Sequence, residues 1–398
     1  MAFESTVRQP QTTRVAFYND PKIRSIIYQA TLAAIVIFLF YGAIHNAIIN
    51  LQKAHIASGF GFWNNTAGFD ISQTLIQYSS STSTYGQAFW VGLLNTLLVA
   101  ALGIVLATAL GFTIGICRLS KNWLLSRAAT GYVELIRNVP LLLQLLFWYN
   151  AVLKALPDLR DSAVLWGGSF LNNRGLFMPQ PLPKAGFGAV ELALLVGIVG
   201  SIAFRFWAKR RQEATGRQAP VLWVTLALVI ALPLVVFAVA GMPLEFAYPE
   251  KGRFNIRGGM EILPEFVALL IGLSVYTASF IAEVVRAGIR SVSHGQSEAA
   301  ASLGLRNGPT LRLIVIPQAM RVIIPPLTSQ YLNLTKNSSL AVFVGYPDLT
   351  QIFTGTVLNQ TGQAVEVVLI TMAVYLSISL VTSIGMNIYN ARMSLVER

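Results

Sequence analysis

The chain has 398 residues, of which 54% are hydrophobic and only 12% charged. Soluble domains carry about 25% charged residues, and here the apolar residues come in long runs, so an ordinary soluble enzyme is excluded. The formal charge of +12 raises nucleic acid as a partner; it is set aside because Lys and Arg fall in the gaps between apolar runs, as in membrane loops.

In chain order the apolar runs predict eight membrane-spanning helices, at 25–45, 87–117, 129–153, 190–207, 220–243, 263–282, 313–340 and 364–389. Each can cross a ~30 Å hydrocarbon core, which takes ~20 residues, though 190–207 is short. Helix is the expected form because lipid offers no partner to a free backbone polar group, and the fold class is all-α, a polytopic helical bundle. The first run follows mostly polar residues, so it reads as an uncleaved anchor rather than a signal peptide. The 87–117 run would reach ~46 Å as a helix and must tilt or project.

Placing the N-terminus inside puts 18 Lys and Arg on inside segments against 8 outside. Both termini and the loop around Glu298 are therefore expected in the cytoplasm. The expected organisation is an N-terminal segment 1–86 with an extra helix and an exposed external loop, and a first core part 87–153. An insertion 154–261 follows, Pro- and Gly-rich over 154–188, then two plain spans joined by Lys209-Arg210-Arg211. The second core part is 262–390 and the cytoplasmic tail 391–398. The single cysteine, Cys117, excludes an intrachain disulfide, and His45, His55 and His294 have no ligand spacing.

The loop 293–317 carries the densest local signals. Ser293-His294-Gly295-Gln296 is a capping-box pattern. Glu298-Ala299-Ala300-Ala301-Ser302-Leu303 continues a helix with good helix formers, and Gly304 supplies a left-handed stop. Asn307-Gly308-Pro309 restarts a helix from a capping residue. The loop is thus helix, turn, helix, with a small Ala-rich first helix; capping alone would also suit a plain connector.

Spacing adds to this. Glu298-Ala299-Ala300, then Gly304, then Ile314-Val315-Ile316-Pro317 resembles the EAA signature of ABC importer permeases, with Ile316 where Leu is usual. Tyr132–Leu145, which holds Arg137-Asn138-Val139-Pro140, resembles the Arg-x-x-Pro stretch of the polar amino acid branch of that family. Leu334-Thr335-Lys336-Asn337-Ser338-Ser339-Leu340 is similar to a further stretch of the branch. The enlarged layout looks most like the larger permease of general L-amino acid transporters, which handle glutamate, glutamine, aspartate and asparagine.

The resemblance implies a type I importer transmembrane domain in the bacterial inner membrane, with 293–317 as the loop docking a separate ATPase. Glu298, Ala299, Ala300, Leu303, Gly304 and Arg306 are its implied contacts. It implies a second permease subunit, expected as a heteromer, and a periplasmic amino-acid-binding protein. No Gly-x-x-x-x-Gly-Lys-Ser/Thr phosphate loop occurs in the chain. No cofactor is expected on this subunit, with ATP and Mg on the ATPase.

Polar residues inside spans are candidates for the pathway. Glu134 and Arg137, three apart, can pair with each other, as structure or as pathway. Lys336 with Asn337, Ser338 and Ser339 offers a cation and several donors, the combination a carboxylate needs; a snorkelling lysine is the other reading. Asn95 and Thr96 either face substrate or hold helices together. A secondary transporter or channel would leave the EAA spacing unexplained, and a membrane enzyme would need a cluster of acids, His or a nucleophile that the sequence lacks.

Overall fold

The computed structural model describes residues 21–53, 58–252 and 255–393; expectations for 1–20, His55 and 394–398 lie outside them. The chain is mostly helical. Its long helices are α1 (Pro21–Lys53), α2 (Tyr85–Cys117), α3 (Trp123–Asn138), α4 (Leu141–Ala155), α5 (Phe187–Thr215), α6 (Val221–Val239) and α7 (Pro264–Arg290). The short α8 (His294–Ser302) follows, then α9 (Asn307–Phe343) and α10 (Ala364–Met393).

Seven of these, all but α3, α4 and α8, are long and apolar enough to cross a membrane. The expected eighth span, 129–153, is not one helix but the pair α3 and α4. Pro140 is the cause: it has no N–H to donate, and it forces Val139 into extended backbone, φ −98° and ψ 129°. The expected span 190–207 is longer than its apolar run, because Lys209-Arg210-Arg211 are good helix formers and carry α5 on until Gly216, at φ 69°, ends it.

The centre of the bundle is α7, which is buried or half-buried from Pro264 to Arg286. Small residues four apart let α2 lie against it. A Cβ on Gly111 would sit 2.5 Å from Ile281 Cγ2, and one on Gly115 2.8 Å from Val285 Cβ. The same device brings α9 in, where a Cβ on Gly288 would be 2.3 Å from Ile323 Cγ1. Close backbone approach of this kind is what holds helices together when lipid supplies no hydrophobic drive. The face of α2 turned away from α7, with Leu102, Val105, Leu106 and Leu110 exposed, is apolar but for Thr113, whose hydroxyl donates to Ala109 O at 2.8 Å, and fits hydrocarbon. Helix α1 buries no described side chain, and α5 packs closely on α6, where a Cβ on Gly197 would meet Leu228 O at 2.0 Å.

The end of the bundle opposite α8 is not only helical. Strands β1 (Ala163–Leu165), β2 (Ser169–Asn172), β3 (Gly175–Met178) and β8 (Met260–Ile262) form an antiparallel sheet in the order β1-β2-β3-β8. Beside it β4 (Gln180–Pro183) pairs with β5 (Leu244–Ala247), and β6 (Glu250–Lys251) with β7 (Ile256–Arg257). Of the segment 46–86, expected as an exposed loop, 46–53 completes α1, and 58–84 is a largely exposed cap pinned to the bundle at a few buried residues. Phe62 and Ala67 are buried against Tyr85, Val91 and Phe353, because the Ser/Thr-rich stretch is seeded with aromatic residues.

Candidate functional site

The loop 293–317 folds as helix, turn, helix. Ser293 is the N-cap of α8, but its side chain makes no capping hydrogen bond, so the expected capping box does not form. Gln296 instead accepts from Gln318 Nε2 of α9 at 3.2 Å, which ties α8 to the base of α9. The stop is as the sequence indicates. Gly304 has φ 74°, its N–H donates to Ala301 O at 2.9 Å, and Leu305 N–H donates to Ala300 O at 3.0 Å. Those two bonds complete a Schellman motif. The helical restart has Arg306 in the N-cap place, one residue before the expected Asn307.

The side chains of α8 divide cleanly. Ala300 is buried, Ala299 and Glu298 are exposed, and Glu298 Oε1 lies 3.0 Å from His294 Nδ1. Leu303 is 80% exposed, Leu313 66% and Leu311 50%. A groove of about 710 Å³ runs between α8 and α9, lined by Gln296, Ala299, Leu303, Pro317 and Arg321 among others. Apolar side chains standing clear of the bundle beside a membrane end are the mark of a surface that another protein covers.

Helix α9 carries a polar face. Arg321, Ser329, Asn333 and Lys336 are exposed and Gln318 half-buried. Their spacing of three, four or eight residues puts them on one side of the helix. From Gln318 to Lys336 the stripe runs ~27 Å, almost the hydrocarbon thickness. Pro325 and Pro326 lie within it. At its far end Lys336 opens on a mainly apolar cavity of about 380 Å³ lined by Met372, Leu376 and Tyr375 together with Ser339, Thr350 and Thr371. Ser338 is buried and its hydroxyl donates to Thr335 O at 2.7 Å, so of the expected donors it is turned inward. Ser339 donates to Lys336 O at 2.7 Å, and Asn337 is half-buried.

The other candidates are placed elsewhere. Glu134 and Arg137 do not pair with each other. Glu134 is exposed, whereas Arg137 lies 3.8 Å from Glu283 of α7 and 5.0 Å above the Phe280 ring. Asn95 and Thr96 are fully buried and brace the turn after α9. Asn95 Nδ2 donates to Gln73 O at 2.9 Å and Pro347 O at 2.8 Å, and Thr96 Oγ1 accepts from Leu349 N at 3.0 Å. On the sheet side a recess of about 490 Å³ holds Gln73, Gln180, Glu261 and Phe266. Burial and the nearby Glu265 push the Glu261 carboxyl above its usual range, with Arg174 opposing them.

Residues 214–395 match the family of binding-protein-dependent transport system inner membrane components. A general L-amino acid transport system permease of Rhizobium johnstonii is 54% identical over 385 residues, 97% of this chain and 96% of its own length. A glutamate/glutamine/aspartate/asparagine transport system permease of Rhodobacter capsulatus is 42% identical over 410 residues, 95% of this chain and 96% of its own. The chain belongs to this family of ABC importer permeases. It is a multi-pass inner-membrane transport subunit, and membership implies a binding protein and an ATPase as partners. The matched 214–395 region contains α7, α8, α9 and α10, hence both the loop and the polar face.

Two groups in this permease escaped the sequence reading. Glu283 is bridged by Arg118 from the end of α2 and by Arg286 one turn along α7, and Arg137 approaches it from α3. A span drawn to end at residue 282 left Glu283 in a loop; the i, i+3 pair Glu283–Arg286 was the available signal. Asp348 is 1% exposed; its Oδ1 accepts from Gln351 N at 2.7 Å and its Oδ2 from Tyr375 OH at 3.0 Å. It caps the short helical stretch that follows, a pattern the Pro347-Asp348 pair could have suggested.

Proposed function

We propose that this permease carries polar L-amino acids inward, glutamate, glutamine, aspartate and asparagine foremost, and takes force from a separate ATPase docked on α8. The observation that carries the substrate class is whole-chain likeness, at 54% identity over 97% of the chain, to a permease named for general L-amino acid transport. The polar face of α9 supports a pathway role. A stripe with Arg321 and Lys336 cannot face hydrocarbon cheaply, so it belongs against water or a second permease. A second, smaller permease completes the pathway in this reading, as a heteromer. In this reading α3 and α4 together make the eighth crossing, so both termini and α8 lie in the cytoplasm, and the sheet and the 58–84 cap in the periplasm.

Force would enter at Ala299, Leu303 and their neighbours. It would pass along α9 through the Gln296–Gln318 contact and the rigid Gly304 turn to the polar stripe, alternating its access. Lys336 would take the substrate carboxylate by a charge-assisted hydrogen bond. The test is uptake of labelled amino acids into proteoliposomes holding the permease pair, the ATPase and the binding protein. Competition among the four named amino acids with ATP present is the expected result. Uptake of equal rate without ATP would remove the reading.

A further inference from the structure

The cytoplasmic end of α5 combines aromatic and cationic residues in an order that the transport reading does not use. Between Arg205 and Gln218 the chain holds five cations, Arg205, Lys209, Arg210, Arg211 and Arg217, against one carboxylate, Glu213. Glu213 lies 3.9 Å from Lys209 Nζ, which leaves the three remaining guanidiniums past Trp207 without an acid among the described residues. All five cations are exposed.

Register sets their depth. Phe206 and Trp207, 69% and 49% exposed, each lie one turn before a guanidinium, Arg210 and Arg211. Aromatic rings of this kind settle at the membrane–water boundary. The cations then lie ~5 Å further out, at headgroup level. Side chains on a helix point toward its N-terminus, which for α5 is back toward the bilayer. Arg211 shows it, with its guanidinium 5.2 Å from the Trp207 ring centroid. Residues 209–218 are all exposed, so lipid can reach this end.

We propose that the α5–α6 turn, residues 205–218, is a binding site for the phosphate of anionic phospholipid, with Arg210, Arg211 and Arg217 as its contacts. Guanidiniums take phosphate oxygens two at a time, which suits a phosphodiester headgroup. A polybasic turn held at a membrane surface gains most from anionic lipid, and it weakens with salt beyond the ~8 Å screening length of physiological solution. The site stands whichever amino acids are carried, because its readout is lipid retention and not uptake.

The test uses the whole purified transporter in nanodiscs of mixed phosphatidylglycerol and phosphatidylcholine, with retained lipid counted by native mass spectrometry. Wild type should retain phosphatidylglycerol over phosphatidylcholine. R210Q/R211Q/R217Q should lose about tenfold or more of that preference, with an unchanged unfolding temperature, and R210K/R211K/R217K, which keeps the charge but not the paired contacts, should fall between the two. Equal retention by wild type and the glutamine variant overturns the proposal. Displacement of the lipid by inorganic phosphate alone would make it a free-anion site. Loss of the ATPase with lipid retention unchanged would make it a protein contact. Either result also overturns it.

Discussion

Arg118, the residue after α2, donates to the carboxylate of Glu283 seven residues before the end of α7, and its own side chain is only 6% exposed. One carboxylate thus joins α2, α3 and α7 just above the point where the chain turns into α8. The arrangement is unsymmetrical: three guanidiniums surround a single acid, and Arg118 Nε is buried without a hydrogen-bond partner among the described residues. Removing Glu283 would therefore strand a buried cation, whereas removing Arg137, 39% exposed, would not.

Glu283→Gln should cost about 3 kcal/mol of stability, the scale for breaking a buried pair, and Arg137→Gln well under 1 kcal/mol. Thermal unfolding of the detergent-solubilised permease reads both. Equal shifts would show that the cluster does not depend on its acid.

The α2–α7 contact gives a second pair. Gly115→Leu has no room against Val285 and should abolish stable expression, since even modest overpacking costs about 1–3 kcal/mol. Ala109→Leu, on the exposed side of α2, should be silent. Membrane yield and unfolding temperature separate them, and similar yields would mean the two helices do not pack this closely.

Gly304→Ala keeps the residue small but puts a Cβ at φ 74°. The strain is about 1 kcal/mol, too little to unfold the bundle but enough to loosen the end of α8. Uptake should fall severalfold while the unfolding temperature moves little. Full uptake would mean that the turn need not be rigid.

Lys336→Ala should lower uptake while leaving the ATPase bound, because Lys336 sits at the far end of α9 from α8. Wild-type uptake, or an effect confined to ATPase binding, would remove Lys336 from the pathway.

Much of this was open to a reader of the sequence. The Gly304 stop, the helix–turn–helix of 293–317 and seven of the spans follow from local rules, apolar run length, helix propensity and glycine conformation, although neither expected N-terminal cap in that loop forms. The failures share a cause. Pro140 breaks an apolar run whose hydropathy hides the break. The Glu134–Arg137 pair obeys helical spacing, yet Arg137 is drawn to Glu283, 146 positions away in sequence, because a shared carboxylate there already gathers cations. Asn95, for which composition allows either a substrate contact or a structural role, takes the second, bonding Gln73 O and Pro347 O. The 58–84 cap was hidden by its Ser/Thr content, since the aromatic residues that bury it are too sparse to form a run.

The claim on which the account rests is that α8 receives force from another chain. The direct measurement is ATP-driven uptake and ATPase retention for Glu298→Lys beside wild type, in the complete reconstituted transporter. The Glu298 side chain is exposed and, among the described residues, bonds only to His294 on α8, so folding should be unaffected. The account predicts that the ATPase is lost on purification and that uptake falls to background with the unfolding temperature unchanged. A Glu298→Lys transporter that keeps its ATPase and its uptake would contradict it.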